Sequence, residues 1–205
     1  MTEAIFGLVG VLIGSAISWF QAYWLNKEDT KKAARYLAIR VVCILDKYIE
    51  DCFAVVKDDG LSYGQRTPEG CLEPQVKSPG APVFPDDVDW KSIDHDLMYE
   101  ILSFPSDVEA ADRGIAFTWD MVATPPDYEE GFEDRAFHYA QFGLRAYELA
   151  KKLRKEYRIP AKEYEEWNPV SELEKELRDI KEARVRREKR NAEFAASMAQ
   201  KVAAA

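Results

Sequence analysis

An all-α fold is predicted: a single N-terminal transmembrane helix continuing into a cytoplasmic antiparallel helical bundle, with a long Pro/Gly-rich loop and a charged C-terminal helix. Three observations carry it. Residues 4–25, AIFGLVGVLIGSAISWFQAYWL, hold no charged side chain. Apolar residues elsewhere recur at i, i+4 and i+7, and few stretches alternate with the period of a strand. Breakers concentrate in one place, with four of the ten glycines and five of the ten prolines at 59–91.

The uncharged run would extend roughly 33 Å as a helix, enough for a hydrocarbon core of about 30 Å. It starts Met-Thr-Glu-Ala rather than with a basic segment, and is longer than the apolar core of a cleaved signal peptide. Trp19, Tyr23 and Trp24 sit at its C-terminal end, where amphipathic rings favour the membrane interface. Glu3 is the only charge before it, whereas Lys27, Lys31, Lys32, Arg35 and Arg40 follow it. The positive-inside rule then expects the N-terminus outside and residues 27–205 in the cytoplasm, at a bacterial inner membrane. Cys43, Cys52 and Cys71, odd in number and without a C-x-x-C, fit a reducing compartment better than a disulfide framework.

Within the run Gly10, Gly14, Ser18 and Ala22 fall every fourth residue, a small-residue ridge that lets helix backbones approach closely. The expected partners are the lipid bilayer and, through this ridge, a second copy or another membrane protein.

Five segments are expected: an anchor at 1–26, a juxtamembrane helix at 27–58, the loop at 59–91, a bundle core at 92–170 and a charged helix at 171–205. No Gly or Pro interrupts residues 15–59, so the first two can be one helix. Leu37, Val41, Ile44, Tyr48, Cys52 and Val55, widened by Leu45, Ile49 and Val56, form a stripe that needs cover, from the rest of the chain or a second copy. The loop is expected to be mobile or folded over the bundle, with a short extended piece near Val83 and Phe84.

Ile93, Leu97 and Ile101 mark a short helix ending before Pro105. Ser106-x-x-Glu109 reads as a capping box for a second helix through Val108, Ala111, Ile115, Trp119 and Val122. Asp127-x-x-Glu130 opens a third along Phe132, Ala136, Tyr139, Gly143, Tyr147, Ala150 and Tyr157, ending before Pro160. Ser171-x-x-Glu174 opens the last, running to about Met198. Its seam of Leu173, Leu177 and Ile180 is broken by Arg184 and Arg187, so its later part is expected to leave the bundle as an arm.

The total charge of −9 is unevenly distributed. Residues 86–135 carry fifteen acids against Lys91, Arg113 and Arg135. Residues 175–190 carry eight bases and four acids, with Arg184, Arg186, Arg187, Lys189 and Arg190 clustered. That arm could meet an acidic partner or a membrane surface, or fold back on the chain's own acids. The interleaved acids and the overall acidity disfavour nucleic acid.

Catalytic signals are thin. Gly60-Leu61-Ser62-Tyr63-Gly64 matches the letters of a nucleophile elbow without the strand and helix that give such a serine its strained turn. His95 and His138 lie near carboxylates, but neither stands in H-E-x-x-H, and Ser92 and Arg135 occupy the places where a bundle-type di-iron site has Glu. Asp86-Asp87-Val88-Asp89 lacks the glycine and terminal glutamate of a calcium loop. Trp90, Trp119 and Trp167 read as core anchors. No catalytic residue, cofactor or metal is therefore assigned. The leading function is a membrane-tethered interaction or scaffold protein. The alternatives are a membrane-anchored enzyme using His95 or His138, and a secretion- or lysis-type accessory of inverted topology.

Overall fold

The computed structural model describes residues 2–164 and 167–203, and the side chains of these except at 2–13, 16, 22 and 201–203. It is all-helical: α1 (Thr2–Val56), α2 (His95–Met121), α3 (Glu129–Tyr157) and α4 (Pro169–Ala203), with a 3-10 turn at Trp90–Ser92. No strand forms among the described residues, and around Val83 the chain stays irregular.

α1 is uninterrupted because nothing in it breaks a helix, and its character changes at one point. The described side chains from Gly14 to Lys32 are exposed, whereas from Ala34 to Val56 one face is buried. All of the expected stripe is buried except Ile44, which is half-buried and has Val42 beside it in the core. The cover comes from the chain itself. α3 lies antiparallel along α1, with Arg135 at Asp58 and Arg154 at Asp46. Ala140, Gly143, Ala146 and Ala150 keep the α3 side of this interface small. A Cβ at Gly143 would stand 3.1 Å from Cys52 Cβ and 2.6 Å from a Leu173 methyl, so three helices converge there.

α2 runs antiparallel to α3, tied by Lys152–Glu100 at 2.5 Å, Arg145–Asp107 at 2.5 Å and Tyr139 Oη donating to Asp112 Oδ1 at 2.7 Å. It is one helix where two were expected, and Pro105 lies inside it. Leu97, Ile101, Phe104, Val108 and Ile115 form a continuous buried face across the proline. That packing outweighs the one backbone hydrogen bond the ring forfeits. Its N-cap is Asp94, accepting from the N–H groups of Asp96 and Leu97, so Ser106 caps nothing.

The third expected start also differs. Asp127 is paired with Arg66 at 2.6 Å, and α3 begins after Tyr128, a left-handed residue without a side-chain cap. α4 starts two residues earlier than expected: Pro169 opens it, and Asn168 Oδ1 accepts from Val170 N–H at 2.9 Å. Trp167 is 48% exposed and touches the Phe53 ring edge-on, a peripheral contact rather than a core anchor. Trp90 and Trp119 do pack against the core.

The glycines of α2 and α3 separate tight packing from mere propensity. Gly143→Val should lower stability by about 2–3 kcal/mol, because overpacking exceeds the gain of roughly 1 kcal/mol or less from replacing a helical glycine. Gly114 has nothing within 4 Å of an added Cβ, so Gly114→Ala should raise stability by about 0.5–1 kcal/mol. Urea melts of the full chain in mild detergent check both signs.

Candidate functional site

Two regions stand apart from ordinary bundle packing: the N-terminal half of α1 and the clasped loop with the cleft beside it.

On α1, Ile17, Trp19, Phe20, Tyr23, Trp24 and Leu25 are each more than half exposed. Their rings contact one another along the helix, Trp19 with Tyr23 at 6.0 Å and Phe20 with Trp24 at 5.8 Å, and no other described part of the chain covers them. Among the described residues no helix is long and apolar enough to cross a membrane. The side chains of residues 4–13, the first half of the uncharged run, lie outside the described residues. Of the ridge, Gly14 and Ser18 are exposed, while Gly10 and Ala22 also fall outside. Next come Lys27, Lys31 and Lys32, all exposed, the last two in i,i+3 pairs with Glu28 and Asp29. Such exposed pairs leave a basic collar available to other partners.

The loop is folded over the bundle. Asp58, just past the end of α1, holds it down through backbone groups. Its Oδ1 accepts from Gly60 N–H at 3.1 Å, and its Oδ2 accepts from the N–H groups of Gln75 and Val76, both at 2.9 Å. Arg135 of α3 donates to the same Oδ2 at 2.9 Å, to Ser78 Oγ at 3.3 Å and to the Val76 carbonyl. The two side chains are 1% and 5% exposed. Gly60 turns with φ +73°, and a Cβ there would meet the Phe132 ring at 2.5 Å. Leu72 N–H donates to the Pro126 carbonyl at 2.8 Å, closing the far side.

Burial pushes the Asp58 carboxyl up, but the hydrogen bonds from Val76, Arg135, Gly60 and Gln75 outweigh it and leave its pKa below the ordinary carboxylate value. Sequence reading missed this pair. Its signal was Arg135, four residues from both Gly131 and Tyr139, a base on an apolar helix face that demands a buried acid.

Beside the clasp lies a cleft of about 630 Å³ between loop residues Pro74–Ser78, α2 (Asp112, Ile115, Ala116, Trp119) and Arg135. The Trp119 indole lies on Gly131, with the Phe132 and Tyr128 rings at 5.1 and 5.6 Å. Tyr139 is fully buried, and burial together with the Asp112 carboxylate raises its phenol pKa, so it donates as a neutral hydroxyl.

The remaining sequence candidates do not converge. His95 is the exposed first residue of α2, and His138 lies half-buried on α3 with Nε2 at 3.7 Å from Asp134. The helices separate the two imidazoles by more than about 25 Å. Ser62 lies in a tight turn, its backbone N–H and carbonyl both bonded to Gln65 at 2.9 Å, with Tyr63 and Gly64 at positive φ. That is a hairpin-type turn, not a strand-to-helix elbow. Asp89 caps the 3-10 turn and Asp87 pairs with Arg40 at 2.7 Å. Among the described residues no cluster of His, Cys, Asp or Glu is placed to hold a metal.

The basic arm divides. Arg184 bonds Glu133 at 2.8 Å over the Phe137 ring, and Arg187 bonds Glu133 as well. The seam thus continues beyond Ile180 as charge pairs against α3, where an early break was expected. Arg186, Lys189 and Arg190 are exposed, the first two in i,i+4 pairs with Glu182 and Glu193. From Glu188 to Gln200 the helix is wholly exposed.

Among the described residues, fold and site together define an all-α, four-helix bundle with a clasped loop. No family model, no curated protein and no solved structure matches the chain.

Asp58→Asn should cost about 3–5 kcal/mol by leaving Arg135 buried without its counter-charge. Replacing both members, Asp58→Leu with Arg135→Met, should not restore stability, because the N–H groups of Gly60, Gln75 and Val76 also lose their acceptor. The depressed pKa stabilises the fold above the unfolded carboxyl value of about 3.9, and this contribution disappears as pH falls through the lower folded value. Wild type should therefore lose stability below about pH 4 more steeply than the double variant, read from melts across pH.

Proposed function

We propose that the chain is a membrane-tethered helical scaffold, its bundle held on the cytoplasmic face by the N-terminal part of α1. The observation that carries this reading is the division of α1. Burial starts at Ala34, while the aromatic residues before the collar have no cover from the chain. Six large apolar side chains so exposed call for lipid or another protein, and their place at the end of a 22-residue uncharged run selects lipid. Aromatic rings followed by Lys27, Lys31, Lys32 and Arg35 reproduce the order of an interface belt and a cytoplasmic collar. The Gly10, Gly14, Ser18 and Ala22 ridge is the surface for a second copy or a membrane partner. The wholly exposed end of α4 is a second contact element, at the end of the bundle opposite the collar.

The full chain should stay in the membrane pellet through alkaline carbonate extraction. Leu12→Lys with Ile17→Lys should release a folded protein, since each charge costs about 2.5–3.5 kcal/mol at mid-span while the core begins at Ala34. In a Cys71→Ser background, exposed Cys43 should react with an impermeant maleimide only after spheroplasts are opened. Carbonate extraction of wild type would contradict the tether, and labelling in intact spheroplasts would contradict the orientation. Gly14→Leu should reduce crosslinked dimer if the ridge pairs two copies.

A further inference from the structure

We infer that the cleft between the loop and α2 is a binding site for an organic ammonium carried on an apolar or aromatic body. It is independent of the membrane reading. The charge of the cleft lining decides the class of ligand. Arg135 lines it but is not free: Nη1 is on Asp58, Nε on Ser78 and Nη2 on the Val76 carbonyl. Its positive charge is matched by Asp58 within the clasp. Asp112 also lines the cleft and has the opposite status. Its Oδ1 takes a hydrogen bond from the buried Tyr139 phenol, which carries no charge, and its Oδ2 has no hydrogen-bond partner among the described residues. The lining therefore presents, on half-buried Asp112, a carboxylate without an ion-pair partner among the described residues, oriented by a fully buried tyrosine.

The walls supply the rest. Ile115, Ala116 and Trp119 form an apolar side, and the indole is held by Gly131, Phe132 and Tyr128 rather than swinging free. An ammonium bonded to Asp112 Oδ2 with its body against Trp119 gains a charge-assisted hydrogen bond and an aromatic contact together. Lys77 also lines the cleft, as an exposed side chain, and the carboxylate probe below tests whether it rather than Asp112 sets the charge of the ligand. The volume, about 630 Å³, suits a ligand of amino-acid-amide or arylalkylamine size.

The test uses the full chain in phosphatidylcholine nanodiscs and three probes of one shape: 2-phenylethylammonium, 2-phenylethanol and 3-phenylpropionate. Calorimetry with empty nanodiscs as reference should show saturable binding of the ammonium and at least tenfold weaker binding of the other two. Asp112→Asn, which keeps an acceptor for Tyr139, should weaken the ammonium at least tenfold. Ala116→Phe fills the cleft from an exposed position and should do the same without altering the melt. Equal binding of the three probes, preference for the carboxylate, no binding, or an ammonium affinity unchanged by both variants would each overturn the assignment.

Discussion

The close antiparallel approach of α1 and α3 is the constraint on which the other contacts depend. It is possible because α3 offers Ala140, Gly143, Ala146 and Ala150 where α1 brings Cys52 and its neighbouring aliphatic side chains. At Gly143 the missing side chain leaves room for Leu173, so the same small position also seats α4. α2 joins at one remove, gripping α3 through three polar ties and reaching α1 through Phe104 against Tyr48. A larger residue at the crossing would thus disturb three helices at once, whereas the outer face of α2 tolerates change.

The same pairing brings Asp58 to Arg135, and this converts a long, breaker-rich connection into a fixed wall. A buried ion pair by itself contributes little net stability, since desolvation offsets attraction. Here the carboxylate also collects three backbone N–H groups from the loop, and the guanidinium takes a loop carbonyl and a loop hydroxyl. What the pair supplies is location. It sets Pro74–Ser78 beside α2 and so creates the cleft that Asp112 lines.

Much of the architecture was legible in the sequence because it rests on periodicity and breakers. The unbroken α1, its stripe from Leu37 to Val56, the end of α3 before Pro160 and the absence of strands among the described residues all follow from those two signals. Helix starts were less legible. Ser106, Asp127 and Ser171 have the right letters, yet Asp94 and Asn168 are the caps, because a capping side chain works only where the backbone has already left the helix. Pro105 misled for a related reason: local cost argued for a break, and a buried face spanning the proline decided otherwise. The clasp was only half legible: Arg135 on an apolar face asks for a buried acid, but its partner lies 77 residues away and nothing local singles out Asp58. The docking of Arg184 and Arg187 on Glu133 had been one of several options for the arm, and charge segregation alone could not choose among them.

α1 is one continuous helix with two unlike segments: the bundle covers its face from Ala34 onward, and the bare aromatic segment before the collar is the part we propose to lie in lipid. Amide hydrogen exchange along α1, with the full chain in nanodiscs, tests that division most directly. Two slow blocks, residues 37–56 and 6–22, separated by faster exchange across 26–33, are expected. Exchange at 14–25 as fast as in the collar would contradict the membrane assignment and leave the exposed aromatic belt to a protein partner.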